Sequence, residues 1–352
     1  MKNSTYLKLT LSIGLGLLIL FAGINIYVDP LFHFHAPTKG IEYPLYDERY
    51  MDDGILRNFD YDAVITGTSM TQNFKTSQFD QFFGTNSVKV PSSGGTYKEI
   101  GELLRRAFEY NPNIRYVMRS LDTTVLVADK DALDYEEYPD YLYDRNPFND
   151  VNYVLNKDLY NKYTEYVFTY NRLDGNTTPF DVYKNWSGVY EVNGAKLLAE
   201  HVRREKTDEK KIFTEEDAKM LSENLEQNVL SLVREHPETE FYFFDPPYSL
   251  LFFDDLYCDG KIDYYVDAWT TEAQMLLQYD NVHFFSFWMD VTVMLDFEHY
   301  KDSLHYEQKI SDYIIDCMGY DLNELSLDNY QQYFDQVRAF YNAVDYDAFF
   351  DK

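Results

Sequence analysis

The sequence predicts an α/β protein built on a parallel sheet, carried behind an N-terminal membrane helix and interrupted by a tyrosine-rich insertion. Three observations predict it. Apolar strand-like runs alternate with amphipathic helical stretches from Ala63 to Leu121, the pattern of strand-helix-strand units that build a parallel sheet. Hydrophobic residues make up 45% of the 352 residues, enough for a real core in one large or two modest domains. Leu9 to Val28 is an uncharged, mostly apolar run, about as long as the roughly 20 residues a helix needs to span a bilayer core.

The chain begins with that run. Residues 1–8 read as a cytoplasmic tail and 9–28 as an anchor, since Lys2 and Lys8 precede the run whereas Asp29, Glu42, Asp47 and Glu48 follow it. By the positive-inside rule the bulk of the chain then lies outside the membrane. A cleaved signal peptide, leaving a soluble secreted enzyme after residue 28, is the rival reading; no A-x-A-like site precedes Asp29, and the run is long. Residues 29–60 form an approach segment that opens on the aromatic stretch Asp29 to His35. The H-x-H spacing of His33 and His35 could serve a metal, yet an interfacial aromatic belt explains it more simply.

Residues 61–320 read as the α/β domain. Residues 62–67 are the first strand, Asn73 to Phe83 the first helix, and Ser87 to Val90 the second strand, which ends at Pro91-Ser92-Ser93-Gly94-Gly95. Tyr97 to Tyr110 is a helix, with Ile100, Leu103, Leu104 and Phe108 on one face and Asn111-Pro112 ending it. Ile114 to Leu121 is the third strand. Over the insertion, residues 129–186, the pattern dissolves into acidic, tyrosine-dense sequence expected to pack over the sheet's carboxyl edge. Thr214 to Glu235 is a capped helix, Glu240 to Phe244 the fourth strand, Thr270 to Tyr279 helical, and Val282 to Phe287 the fifth strand. Residues 321–352 are an acidic, aromatic extension, helical in pieces.

Composition excludes some partners. Asp and Glu number 60 against 31 Lys and Arg, for a formal charge of −29, and such a surface repels nucleic acid and anionic head groups. Cys258 and Cys317 form no C-x-x-C pair; they could join as a disulfide, although Cys317 suits a buried thiol on an apolar helical face.

The candidate chemistry starts at Ser69, in the stretch Asp62 to Thr71. A buried strand runs into a sharp turn after Gly67 and presents this serine at a strand's carboxyl end, where open α/β sheets bind ligands. Alone a G-x-S triplet is weak, and Thr71 stands where the α/β-hydrolase elbow has its last glycine. Two D-x-x-H pairs follow the fifth strand, Asp296 with His299 and Asp302 with His305. Either spacing lets a carboxylate hold one imidazole nitrogen while the other points away, the orienting role of the acid in a Ser-His-Asp triad. Asp302 and His305 are favoured because His305 leads directly into an amphipathic helix with Ile310, Tyr313, Ile314 and Cys317 in period. The glycines Gly94 and Gly95 allow a turn with backbone N–H groups free for an oxyanion.

Gly67-Thr68-Ser69, Gly94-Gly95 and Asp302-Ser303-Leu304-His305, in that order and strand context, resemble blocks I, II and V of the SGNH/GDSL hydrolase superfamily. The anchored terminus with its Val28-Asp29-Pro30 exit is similar to extracytoplasmic members such as teichoic-acid D-alanylation and alginate acetylation proteins. The resemblance implies a flavodoxin-like sheet and serine acyl-ester chemistry without a cofactor. Ser69 would be the nucleophile, His305 the base and Asp302 its orienting acid, with the N–H groups of Ser69 and Gly94 or Gly95 facing the oxyanion. It implies an O-acyl esterase or acyltransferase acting on a cell-envelope polysaccharide or teichoic acid, and for a transferase a multispanning partner that exports the acyl group. One departure stands out. Block III supplies an asparagine to the oxyanion hole, but this chain has Arg119-Ser120-Leu121-Asp122 there. Either Asn73 or Thr123 substitutes while Asp122 faces elsewhere, or the domain is an inactive scaffold in envelope assembly.

Overall fold

The computed structural model describes residues 2–134 and 139–350, so the part of the expected insertion from Tyr135 to Tyr138 lies outside the described residues, as do Asp351 and Lys352. The chain folds as two compact units, residues 1–60 with 137–179 and residues 61–136 with 180–352.

The first unit contains the helix α1 (Lys2–Val28), which from Ser4 to Val28 is long and apolar enough to cross a membrane. Its last turns are braced by the insertion. Asn25, fully buried, donates to the Val154 carbonyl at 3.0 Å and accepts from Thr164 Oγ1 at 2.9 Å, and Phe21 packs its ring on Tyr160. Asp29 then turns the chain in the left-handed region (φ 41°), and its carboxylate accepts the amides of His33, Phe34 and His35 and the Tyr153 hydroxyl. The two histidines hold no common ligand: His33 Nε2 meets Asp150 at 3.0 Å, whereas His35 Nε2 meets the Ile26 carbonyl. Among the described residues no three His, Cys, Asp or Glu side chains converge on a point that could hold a metal.

This arrangement revises the expected domain layout. Residues 29–60, read as an approach segment, carry the helix α2 (Glu48–Asn58) and pack with 137–179, a stretch that the sequence assigned to the α/β domain. The physical reason lies in paired polar groups: Asp47 accepts from Tyr163 and Lys162, Glu42 from Thr177, and Tyr43 exchanges backbone contacts with Thr177 and Thr178. Many of the insertion's tyrosines are thus spent on internal packing, with Tyr153 and Tyr163 buried.

The second unit is a doubly wound sheet of order β2-β1-β3-β4-β5-β6. Its strands are β1 (Ala63–Gly67), β2 (Ser87–Pro91), β3 (Tyr116–Ser120), β4 (Glu240–Asp245), β5 (Val282–Ser286) and β6 (Glu324–Leu325). The first five are parallel, and their 2-1-3-4-5 order is the flavodoxin-like one, with its switch point between β1 and β3. Nearly every strand residue is buried, as expected for a sheet covered on both faces. Between the first strands lie α3 (Thr76–Phe83) and α4 (Tyr97–Tyr110), the latter opened by a reciprocal capping box of Thr96 and Glu99. The helix expected over Thr214 to Glu235 is α5 (Glu215–Leu225), continued through a π-turn (Glu226–Leu230) into Ser231–Glu235.

Two further expectations change, and the open question of the two cysteines is answered. The helix placed at Thr270 begins earlier, as α6 (Ile262–Leu276), because Asp263 and Asp267 on its outer face are paired with Arg338. That arginine belongs to the C-terminal stretch, which is not an appendage. β6 joins β5 antiparallel, and α7 (Tyr330–Ala343) stacks Tyr341 on Phe253 at 3.6 Å and donates its hydroxyl to the Trp288 carbonyl. Cys258 and Cys317 are separate, buried free thiols rather than a disulfide, and burial raises both thiols.

Candidate active site

The switch-point crevice of a doubly wound sheet lies outside the carboxyl ends of its strands, and there the chain leaves β1 through a tight turn. Gly67 has φ 146°, a conformation other residues rarely adopt, and a Cβ on it would lie 2.2 Å from Ser120 Oγ. Thr68 caps the short 3₁₀ turn Ser69–Thr71, accepting from the Met70 amide and donating its own N–H to Ser120 Oγ at 3.3 Å. Ser69 stands half-buried at the head of this turn.

The second half of the site arrives from beyond β5. Tyr300 and Tyr306 form an antiparallel bridge, and the Lys301 amide donates to the His305 carbonyl, so residues 301–305 form a closed loop. Ser249 holds the loop from below through the Ser303 carbonyl, while the Tyr300 hydroxyl donates to Pro247. Within it, Asp302 accepts the amides of Leu304 and His305 and meets His305 Nδ1 at 2.8 Å. His305 Nε2 lies 2.8 Å from Ser69 Oγ. An ionised Asp302 only accepts, so Nδ1 carries the imidazole proton and Nε2 is left to accept from the serine. The rival histidine, His299, contacts Glu307 and Lys309 and, at 3.6 Å, Asp296, with no hydroxyl bonded to its ring among the described residues.

Burial pushes the Asp302 carboxyl up, but its hydrogen bond and charge contact with His305 and the two loop amides outweigh this and hold it below the usual carboxylate value. A carboxyl lowered in the folded state stabilises above its unfolded pKa, about 4, and loses that contribution as pH falls through the folded value. The stability difference between wild type and Asp302→Asn is therefore expected in full at pH 6 and should close as the pH falls through the lowered folded value. Urea midpoints measured across that range check the sign; a gap that widens on acidification refutes it.

The expected oxyanion donors separate. The Gly95 amide donates to the Ser92 carbonyl at 2.8 Å, so it is consumed by its own turn and is not available to a ligand. Gly94, at the exposed crest with φ 69°, and Ser69 have backbone N–H groups with no acceptor among the described residues. The two proposed replacements for a block III asparagine are both engaged elsewhere. Asn73 is buried, donating to the Tyr306 carbonyl at 2.8 Å and accepting the Trp186 amide at 3.0 Å; Thr123 Oγ1 accepts from Trp269 Nε1.

Asp122 does face elsewhere. It is buried and accepts from Ser120 Oγ and from the Tyr248 hydroxyl, and burial raises its carboxyl against the pull of those hydrogen bonds. At the end of β4, Asp245 has no hydrogen bond to either carboxylate oxygen among the described residues, and burial pushes it up to about 8.

Several supporting roles escaped the sequence reading, that of Asn73 among them. Asn73 ties the serine turn to the histidine loop, and Gln72 Nε2 ties it to Ser93 in the glycine turn at 2.5 Å. Tyr248 was signalled only by the rigid Pro246-Pro247 that sets it after β4. At the rim, Lys301 Nζ lies 4.0 Å over the Tyr190 ring and 5.6 Å over Trp186, with no carboxylate in ion-pair range among the described residues. Asn73→Ala would leave a buried carbonyl and amide unpaired, so a loss of about 2–3 kcal/mol is expected. Ester turnover should fall about tenfold or more in the same variant, through a loosened histidine loop. Denaturation and steady-state kinetics on one preparation check both.

No family model and no curated protein matches the chain. Among solved structures it is similar to a chain from Streptococcus pneumonia provisionally described as a platelet activating factor. The two are 14% identical, and the match covers 78% of this chain and 89% of that one at a TM-score of 0.38. The fold assignment rests on this chain's own strand order and register.

Proposed function

We propose that the chain is an SGNH-type serine O-acyl esterase or acyltransferase, held in the membrane by residues 9–28 with its bulk outside, acting on a cell-envelope polysaccharide or teichoic acid. The observation that carries the chemistry is the continuous relay Ser69 Oγ, His305 Nε2, His305 Nδ1, Asp302, with both links at 2.8 Å. Ser69 attacks the ester carbonyl as His305 takes its proton, and the tetrahedral oxyanion forms between the Ser69 and Gly94 amides. The leaving alcohol departs with that proton from His305, giving an acyl-serine. Water, or a hydroxyl of an acceptor polymer, then releases the acyl group by the same steps in reverse.

The location rests on the apolar Ser4–Val28 helix and the lysines that precede it. A transferase would receive its acyl group from a multispanning export partner. A non-catalytic scaffold is favoured by one observation, the aspartate at position 122 where a third oxyanion donor would stand. Fluorophosphonate labelling of the full chain, followed by peptide mapping, separates the two. A single adduct on Ser69 that is lost in His305→Ala is expected. Equal labelling of both proteins, or none in folded protein, would favour the scaffold.

A further inference from the structure

A strand seldom spends a buried position on lysine, because burying an ammonium is costly unless it is paired. β2 does so at Lys89, which has no solvent exposure. No carboxylate lies in ion-pair range of its Nζ among the described residues. Instead Nζ donates to two main-chain carbonyls, Gln72 at 2.6 Å and Phe74 at 2.8 Å. These are the residues into which the Ser69 turn runs, and α3 begins only at Thr76. Without Lys89, these two carbonyls of a non-helical segment would lose their donor, and that of the buried Phe74 would be left unpaired away from water.

The position of Lys89 along β2 matters as much as its contacts. Two residues further on, β2 ends at Pro91 and the chain enters the turn that presents Gly94. The same two segments are joined a second time by the Gln72 to Ser93 hydrogen bond, and the Ser92 amide donates to the Gly67 carbonyl at 2.7 Å. Lys89 is thus the buried end of a brace whose open end holds the Ser69 and Gly94 N–H groups. An oxyanion site works only while its donors keep a fixed separation, since the stabilisation comes from preorganisation.

We infer that Lys89 is a positioning residue for ester turnover, holding the serine turn against the strand that carries the Gly94 donor. The inference rests on the esterase reading. Burial brings the Lys89 amine down to about 7, with the charge of Asp181 opposing the shift. Asp181 is itself bound to Thr76 and Ser77. The clamp does not depend on that charge, because a neutral amine retains two N–H donors, one for each carbonyl.

The test uses the full chain in detergent and compares Lys89→Met, Lys89→Gln and Val88→Ala. Val88 is buried on the same strand, so its truncation controls for lost stability alone. With 4-nitrophenyl acetate, Lys89→Met is expected to lower kcat about thirtyfold with KM within twofold, while Val88→Ala keeps kcat within twofold. Lys89→Gln, which keeps two donors, should recover part of the loss. Hydrogen exchange of the amides from 69 to 74 should accelerate at least tenfold in Lys89→Met only. Wild-type kcat in Lys89→Met, or an equal loss in Val88→Ala, overturns the inference. If wild type neither hydrolyses the ester nor takes a fluorophosphonate on Ser69, the esterase reading fails instead, and the exchange result alone then decides whether Lys89 holds the turn.

Discussion

Ser69→Ala and His305→Ala are each expected to reduce ester hydrolysis by about 10⁴- to 10⁶-fold, and the double variant by no more than either single one. The expectation follows from the geometry: one proton passes between two atoms 2.8 Å apart, so removing either end removes the whole transfer. Asp302→Asn should cost somewhat less, about 10⁴-fold, through loss of the correct tautomer rather than of the transfer itself. Residual activity in Ser69→Ala, His305→Ala and the double variant should reach a common floor set by the remaining backbone N–H groups, with Asp302→Asn above it. Steady-state hydrolysis of an activated ester, with active sites counted by fluorophosphonate titration, measures each value. More than a tenth of wild-type turnover in Ser69→Ala would refute the nucleophile assignment, and additive losses would refute the relay.

Gly67→Ala should unfold the site and much of its surroundings. At φ 146° an alanine is strained, and its Cβ would sit 2.2 Å from Ser120 Oγ and 2.7 Å from Thr71 Cγ2. Ser120 cannot retreat without losing both the Thr68 amide and the Asp122 carboxylate that it bridges. A cost of about 3 kcal/mol or more is expected from backbone strain and the broken buried network together. Gly84 supplies the internal comparison: it too has positive φ, 62°, but a Cβ there meets nothing within 4 Å. Gly84→Ala should cost only about 1 kcal/mol. Urea denaturation of the two variants side by side checks the contrast, and equal losses would show that strain alone, not the crowding at Ser120, decides.

The parts of this protein legible in its sequence are those fixed by local pattern. The helix Tyr97–Tyr110 could be read because Ile100, Leu103, Leu104 and Phe108 fall in period and Asn111-Pro112 closes it. The five parallel strands are short apolar runs with punctuation, and the Asp302 to His305 spacing points to a loop because a carboxylate three residues before an imidazole can reach it there. Other features depend on which partner a group meets in the folded chain. Gly94 and Gly95 look equivalent as letters, yet only one amide is left over once the turn closes. Asn73 and Thr123 looked like spare donors until Tyr306 and Trp269 were placed against them. Lys89 reads as an interruption in a strand, since its partners are main-chain carbonyls that leave no trace in composition. The grouping of residues 137–179 with the N-terminal segment depends on tertiary pairs such as Asn25 with Thr164, and no periodicity records those.

The junction at Asp29 has a mechanical consequence. A protein hung from a membrane by a floppy leash sweeps a hemisphere and meets substrates over a range of heights, its reach set by the length of the leash. Here the last turns of α1 are pinned through Asn25, and the chain leaving it is gripped by one carboxylate holding three amides and a phenol. In a bilayer such a helix behaves as a mast rather than a leash, so the juxtamembrane unit rides at a set altitude and turns only as the helix turns. Peptide bonds around the joint are correspondingly poor targets for a shedding protease.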